Sequence, residues 1–139
     1  MKKYEFLPHT SEIKFNAFGR TLNEALENSV IAISKILSRG GRITTKEKRV
    51  SLIKGDDYEK ILYNLIDEIL YFLDSEGFVV SKAKVSLDKK NKALKVLFYG
   101  DNAKNYKNLD YIKSATYSDM KIIKNKKKKI WMIQAVVDV

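Results

Sequence analysis

The sequence predicts an α+β domain of two layers, a mainly antiparallel sheet with two helices packed on one of its faces. Three observations lead there. Two segments carry apolar residues at helical spacing between capping signals, and the other apolar residues mostly alternate with polar ones at the period of a half-buried strand. The helices do not alternate regularly with the strands. The expected order is ββαβαββ followed by two or three further strands, which argues against a parallel doubly wound sheet.

Residues 3–7 read as a short strand stopped by Pro8, the only proline. From Glu12 to Phe18, apolar Ile13, Phe15 and Ala17 alternate with Glu12, Lys14 and Asn16, the pattern of a strand with one buried face. Phe18 breaks the alternation on the outward side, and Gly19 turns the chain. Thr21 with Glu24 three residues on forms a capping box. Leu22, Ala25, Leu26, Ser29, Val30, Ile33, Ile36 and Leu37 then follow at helical spacing until Gly40-Gly41. A strand is expected at Arg49 to Ile53. Asp56 or Asp57 caps a second helix with Ile61, Leu62, Leu65, Ile66, Ile69, Leu70 and Leu73, and Gly77 stops it. Its apolar girth predicts that it is the more buried of the two helices.

Beyond it, Phe78 to Leu87 and Ala93 to Tyr99 flank a polar turn, Asp88-Lys89-Lys90-Asn91-Lys92, as a hairpin. Gly100 to Asp110 reads as polar and irregular, the least ordered part of the chain. Strand character resumes at Tyr111 to Met120 and at Ile122 to Ile123, and Ile130 to Val139 closes the sequence. Between them, the turn at 124–129 carries five lysines.

A chain of 139 residues is one domain, 1–139, long enough to bury a core without staples. At 45% hydrophobic against 32% charged residues, it is globular rather than disordered. The absence of cysteine excludes disulfides, thiolate metal sites and a cysteine nucleophile. No signal-length apolar stretch follows the basic start, which points to the cytoplasm. No apolar run is long enough to span a membrane.

The balance of 27 basic to 17 acidic residues, a formal +10, implies attraction to phosphate-rich partners. Arginine occurs only at Arg20, Arg39, Arg42 and Arg49. Lysine lacks arginine's bidentate fork, so any RNA contact is expected to be electrostatic and weakly sequence-specific. A solubility surface is the plainer reading of the same charge.

Glycine-rich phosphate loops and metalloprotease or zinc-finger spacings are missing, and a Ser-His-Asp triad lacks a nucleophile elbow. An ordinary hydrolase or kinase does not fit. His9, the single histidine, is either a turn cap or a group titrating near neutral pH. Glu12 taken alone is a solvated outward residue. Asp138 stands out more, because a charge within Ala135-Val136-Val137-Asp138-Val139 needs solvent or a partner. A cation bridging Glu12, Asp138 and the terminal carboxylate of Val139 would supply one if the two ends of the chain meet. Such all-oxygen, flexible ligation suits Ca²⁺, Mg²⁺ or Mn²⁺ rather than zinc. Asp119 is a third acidic candidate, at a strand break where Asp usually makes a local turn. The lysine run at 124–129 is a solvated turn or a phosphate-contacting patch. Phe15, Phe78 and Trp131 sit in apolar strand patterns and are assigned to the core rather than to base stacking.

Four segments, taken in order and spacing, resemble the archease family over the whole chain. They are Tyr4-Glu5-Phe6-Leu7-Pro8-His9-Thr10-Ser11-Glu12-Ile13; Ala17 through Thr21, Leu22 and Glu24 to Ala25; the helix end Leu73-Asp74-Ser75-Glu76-Gly77-Phe78; and Ala115-Thr116-Tyr117-Ser118-Asp119-Met120-Lys121 with Trp131 and the ending Val136-Val137-Asp138-Val139.

The resemblance implies a non-enzymatic protein cofactor of the GTP-dependent tRNA-splicing RNA ligase, promoting guanylylation of the ligase and repeated turnover. It also implies a divalent metal, Ca²⁺ ahead of Mg²⁺ or Mn²⁺, held by Glu12, Asp138 and the Val139 carboxylate. Glu12 stands where the family has Asp, which moves the carboxylate by more than 1 Å, on the order of one C–C bond. Ser11 replaces a common Ala, and Val137 a frequent Pro. The alternative is a basic RNA-associated chaperone, for example of a tRNA methyltransferase, with weak or indirect tRNA contact. A stand-alone metal enzyme ranks last.

Overall fold

The strand that begins at Glu12 pairs along its whole length with the strand that ends at Asp138, and the rest of the fold is built around that ladder. The computed structural model describes residues 1–8 and 11–139. In chain order the elements are β1 (Tyr4–Leu7), β2 (Glu12–Gly19), α1 (Leu22–Leu37), β3 (Glu47–Lys54), α2 (Tyr58–Glu76), β4 (Phe78–Asp88), β5 (Ala93–Asn102), β6 (Ser114–Ala115), β7 (Lys121–Asn125) and β8 (Ile130–Asp138). A single 3₁₀ turn spans Ala103–Asn105.

The expected class holds: two helices with antiparallel strands. The strands, however, form two sheets rather than one. The first runs β1-β2-β8, and the far edge of β8 is shared by β7 and then β6; the second runs β3-β5-β4. Alternation along β2 and β8 puts Phe15, Ala17, Ile133, Ala135 and Val137 on the inner face, each fully buried.

Helix α1 lies between the two sheets. Thr21 Oγ1 accepts from the Glu24 N–H as the cap at its start, while Glu24 Oε1 reaches back one residue past the cap to accept from the Arg20 N–H. At Gly19 the first turn comes so close that an added Cβ would lie 2.3 Å from the Ala25 nitrogen. On its second side α1 covers the edge of β4. Glu27 Oε2 accepts from the Val85 N–H at 2.9 Å and Asn23 Oδ1 from the Leu87 N–H at 3.1 Å. A helix thus supplies the partners that an edge strand would otherwise lack.

This sandwiching corrects the expectation that α2 is the more buried helix. Eleven of the 16 residues of α1 are buried, against seven of the 19 in α2. Small residues such as Ser29 and Ala32 let both sheets approach α1, whereas α2 keeps Asp67, Tyr71 and Asp74 in solvent. Asp57 caps α2 by accepting from the Lys60 N–H, and Gly77 ends it in the left-handed conformation at φ 61°.

Two further expectations change. The segment from Tyr111 to Met120 contributes only the two-residue strand β6. Beyond it, Thr116 Oγ1 donates to the Val136 carbonyl and accepts from the Ser118 N–H, and Asp119 adopts φ 52°. Local side-chain bonds thus replace the ladder. The segment from Gly100 to Asp110 is well tied rather than loose. β5 continues to Asn102, and the buried Asp101 carboxylate accepts from Thr44 Oγ1 (2.7 Å), the Tyr106 hydroxyl (2.8 Å), the Asn102 N–H and Asn105 Nδ2. Those bonds, Thr44 and Tyr106 foremost, pull the Asp101 carboxyl from 3.8 down to about 2. Among the described residues, no helix is long and apolar enough to cross a membrane.

Candidate functional site

Glu12 is the first residue of β2 and Asp138 the last of β8, and the antiparallel register sets them directly opposite each other. Ser114, at the start of β6, faces Asp138 from the other side. Because Ile13 and Val137 point into the core, alternation turns Glu12 and Asp138 together onto the outer face of the first sheet. Both are half-buried, and Val139, immediately beyond, is 39% exposed. The Lys113 N–H donates to the Asp138 carbonyl at 2.8 Å, fixing the last strand residue in place.

Directly opposed side chains in an antiparallel pair have Cβ atoms about 4.5–5.5 Å apart, and like charges there are destabilising. Two carboxylates in that arrangement favour a cation between them. The Val139 carboxylate follows one residue later, so the three groups named from the sequence occupy one corner of the sheet. All are hard oxygen donors, which matches the flexible ligation of Ca²⁺, Mg²⁺ or Mn²⁺. No cluster of three or more His, Cys, Asp or Glu side chains suited to an ion occurs among the described residues. The candidate set therefore has two side chains and one main-chain carboxylate.

Asp119 lies on the same outer face, one row away. Its Oδ2 meets Lys14 Nζ at 3.1 Å, and its carbonyl accepts from Gln134 Nε2 at 2.8 Å. Lys14 is two residues beyond Glu12 on the same strand face. The loop carrying Asp119 is thereby pinned over the ladder next to the Glu12–Asp138 row. His9 lies outside the described residues. The lysine run at 124–129 forms the β7–β8 hairpin turn, where Asn125 Oδ1 accepts from the Lys127 and Lys128 N–H groups. It sits at the opposite end of β8 from Asp138 and takes no part in the acidic corner.

Sequence reasoning missed the cleft beside Glu12. A pocket of about 670 Å³ has Phe6, Leu7 and Glu12 on one wall and Lys35, Arg39 and Asp110 on the other. Arg39 Nη2 approaches Asp110 Oδ1 at 3.6 Å, its Nε donates to the Asn108 carbonyl, and the Asp110 N–H donates to the Leu37 carbonyl. The C-terminus of α1 and the 106–113 loop thus form one wall. The sequence shows Phe6 near Pro8 and basic residues at the end of α1, but only the fold exposes Phe6 and puts these groups across from Glu12.

The model of the Archease protein family matches residues 4–139. The chain belongs to the archease family. The protein archease of Sulfurisphaera tokodaii is 35% identical, with all of both chains covered. That of Pyrococcus abyssi is 34% identical, again with complete coverage of both. Among solved structures, the solution structure of Methanobacterium thermoautotrophicum protein 1598 is similar at TM-score 0.79 and 24% identity, covering all of both chains. The crystal structure of an archease from Thermotoga maritima, described as a possible chaperone, is similar at TM-score 0.61 and 19% identity, covering 96% of this chain and 94% of that one. At those identities the two structures speak for the archease fold, with its two helices and two antiparallel sheets.

Proposed function

We propose that this archease is a protein cofactor of a GTP-dependent tRNA-splicing RNA ligase, and that its acidic corner is the working part. Glu12, Asp138 and the Val139 carboxylate would hold a divalent cation; such an ion supplies Lewis-acid charge neutralisation next to a nucleotide phosphate. The observation that carries this reading is the register that seats Glu12 opposite Asp138 at the free end of the ladder. Two anionic groups held on paired strands are positioned before any partner arrives.

The surroundings support a protein partner. Phe6 is 45% exposed beside the cleft, with Leu7 and Pro8 next to it, so an apolar rim borders the acidic groups. Aromatic side chains such as Phe6 are enriched in protein interfaces relative to the rest of the surface. In this reading the rim docks on the ligase, and the carboxylates reach the site where guanylyl transfer develops charge. Phosphoryl-transfer rates depend steeply on the placement of such groups.

The test is ligase guanylylation in a purified system. The Glu12→Ala/Asp138→Ala variant is expected to lose stimulation while still unfolding in one cooperative transition. Full stimulation by the folded double variant would end the mechanism. The basic surface favours a second reading, an RNA-associated chaperone in line with the description of the Thermotoga maritima relative. That reading predicts tRNA binding that is steeply salt-dependent and indifferent to Asp138.

A further inference from the structure

The second sheet turns one face to the helices and leaves the other open. On that open face β3 presents Lys48, Val50 and Leu52; β5 presents Lys95, Leu97 and Tyr99; and β4 presents Lys82, Lys84 and Ser86. The register arranges them in rows. Lys48, Tyr99 and Lys82 form the first, with Lys48 Nζ 5.6 Å and Lys82 Nζ 5.5 Å from the centre of the Tyr99 ring. Val50, Leu97 and Lys84 form the second, and Leu52, Lys95 and Ser86 the third.

Val50 is 79% and Leu52 56% exposed, unusual for aliphatic side chains in a strand, and they border an open groove of about 610 Å³. Among the described residues, the carboxylate on this face is that of Asp88 at the hairpin end, engaged by Asn91. Glu47 and Glu76 lie on the other side, paired with Arg49. The charge continues past Lys82 into a second pocket of about 490 Å³. Its lining includes Lys35, Arg42 and Lys46 and contains no carboxylate.

We infer that this open face binds single-stranded RNA, with bases laid on Tyr99, Leu97 and Val50 and phosphates held by Lys48, Lys82, Lys84 and Lys95. A flat aromatic and aliphatic strip bordered by lysines offers stacking to bases and point charges to the backbone, the two contacts that sequence-tolerant strand binding requires. Lysine cannot fork to base edges, so recognition is of the strand and not of its sequence. The surface is separate from the acidic corner, which lies on the outer face of the first sheet, so it tests independently of the ligase reading.

The experiment is fluorescence anisotropy with a labelled oligouridylate of about 12 nucleotides, a length within the usual range of such sites. Wild type, the triple variant Lys48→Gln/Lys82→Gln/Lys84→Gln and a charge-matched control, Lys126→Gln/Lys127→Gln/Lys128→Gln, are each titrated over a range of salt. The face variant is expected to lower the slope of log K against log salt by about 2, from about 0.7 per phosphate contact on a single strand, while the control keeps more of the wild-type slope. Tyr99→Leu, which retains apolar volume, should weaken binding about fivefold or more.

Equal losses in the face and control variants would overturn the proposal by showing that net charge alone attracts RNA. So would binding unchanged by the face variant. Sedimentation showing a dimer dissociated by Val50→Asp, or anionic phosphatidylserine vesicles captured in place of RNA, would assign the face to another occupant and equally overturn it.

Discussion

Replacing Asp138 with Asn should make this protein more stable in chelator and much less responsive to the ion that stabilises the wild type. Glu12 and Asp138 are directly opposed across β2 and β8. Cβ atoms of such a pair lie about 5 Å apart, and two charges at that same separation repel by about 1 kcal/mol at the dielectric of water and about 3 kcal/mol at an effective value near 20. Asn keeps the shape and removes one of the charges. For a domain of this size, about 1 kcal/mol moves the melting temperature by roughly 3–4 °C, so Asp138→Asn should melt about 3–10 °C higher in EDTA at low salt. Calcium at about one hundred times its dissociation constant should add about 2.7 kcal/mol to the wild type, a rise on the order of 10 °C. The variant should gain far less. Differential scanning calorimetry in EDTA and in excess calcium reads both effects. An Asp138→Asn protein that melts lower in chelator, or that gains as much from calcium as the wild type, would rule out a repelling, ion-bridged pair at this corner.

Two predictions concern the frame that holds the corner. Glu27→Ala removes the acceptor of the Val85 N–H on the covered edge of β4 and should cost about 1–3 kcal/mol, read as a lower urea midpoint with an unchanged slope; an unchanged midpoint would mean that water satisfies this edge. Asp101, held down near 2 by Thr44 and Tyr106, favours folding above its ordinary titration range, and that contribution is lost as the pH falls from about 4 toward 2. The stability gap between wild type and Asp101→Asn should therefore narrow over that window in urea titrations, and parallel curves would count against the assignment.

Local signals carried much of the fold. The Thr21–Glu24 cap, Asp57, Gly77 and the alternation from Glu12 to Phe18 each describe a structure closed within a few residues, and each stands where the periodicity put it. Burial was harder to read. The apolar girth of α2 suggested the central helix, yet α1 is central, because its small residues admit a second sheet and its Asn23 and Glu27 serve β4. No local pattern announces which helix will be sandwiched.

The same limit applied between Tyr111 and Met120, where strand-forming residues give way to turns made by Thr116 and Asp119. It applied again at Asp101, whose partners at 44 and 106 lie far apart in sequence. In the candidate site, an acidic residue at each end of the chain was visible as a charge in an apolar strand. Their position opposite each other is a matter of register, which only the assembled ladder reveals. The cleft facing Glu12 depended on the α1 terminus and the 106–113 loop meeting, and no motif marks it.

Whether the acidic corner holds a divalent ion can be read from anomalous diffraction by a manganese-soaked crystal. One strong peak is predicted within about 2.0–2.6 Å of oxygens from Glu12, Asp138 and the Val139 carboxylate. A manganese peak elsewhere, with none shared by Glu12 and Asp138, would contradict it.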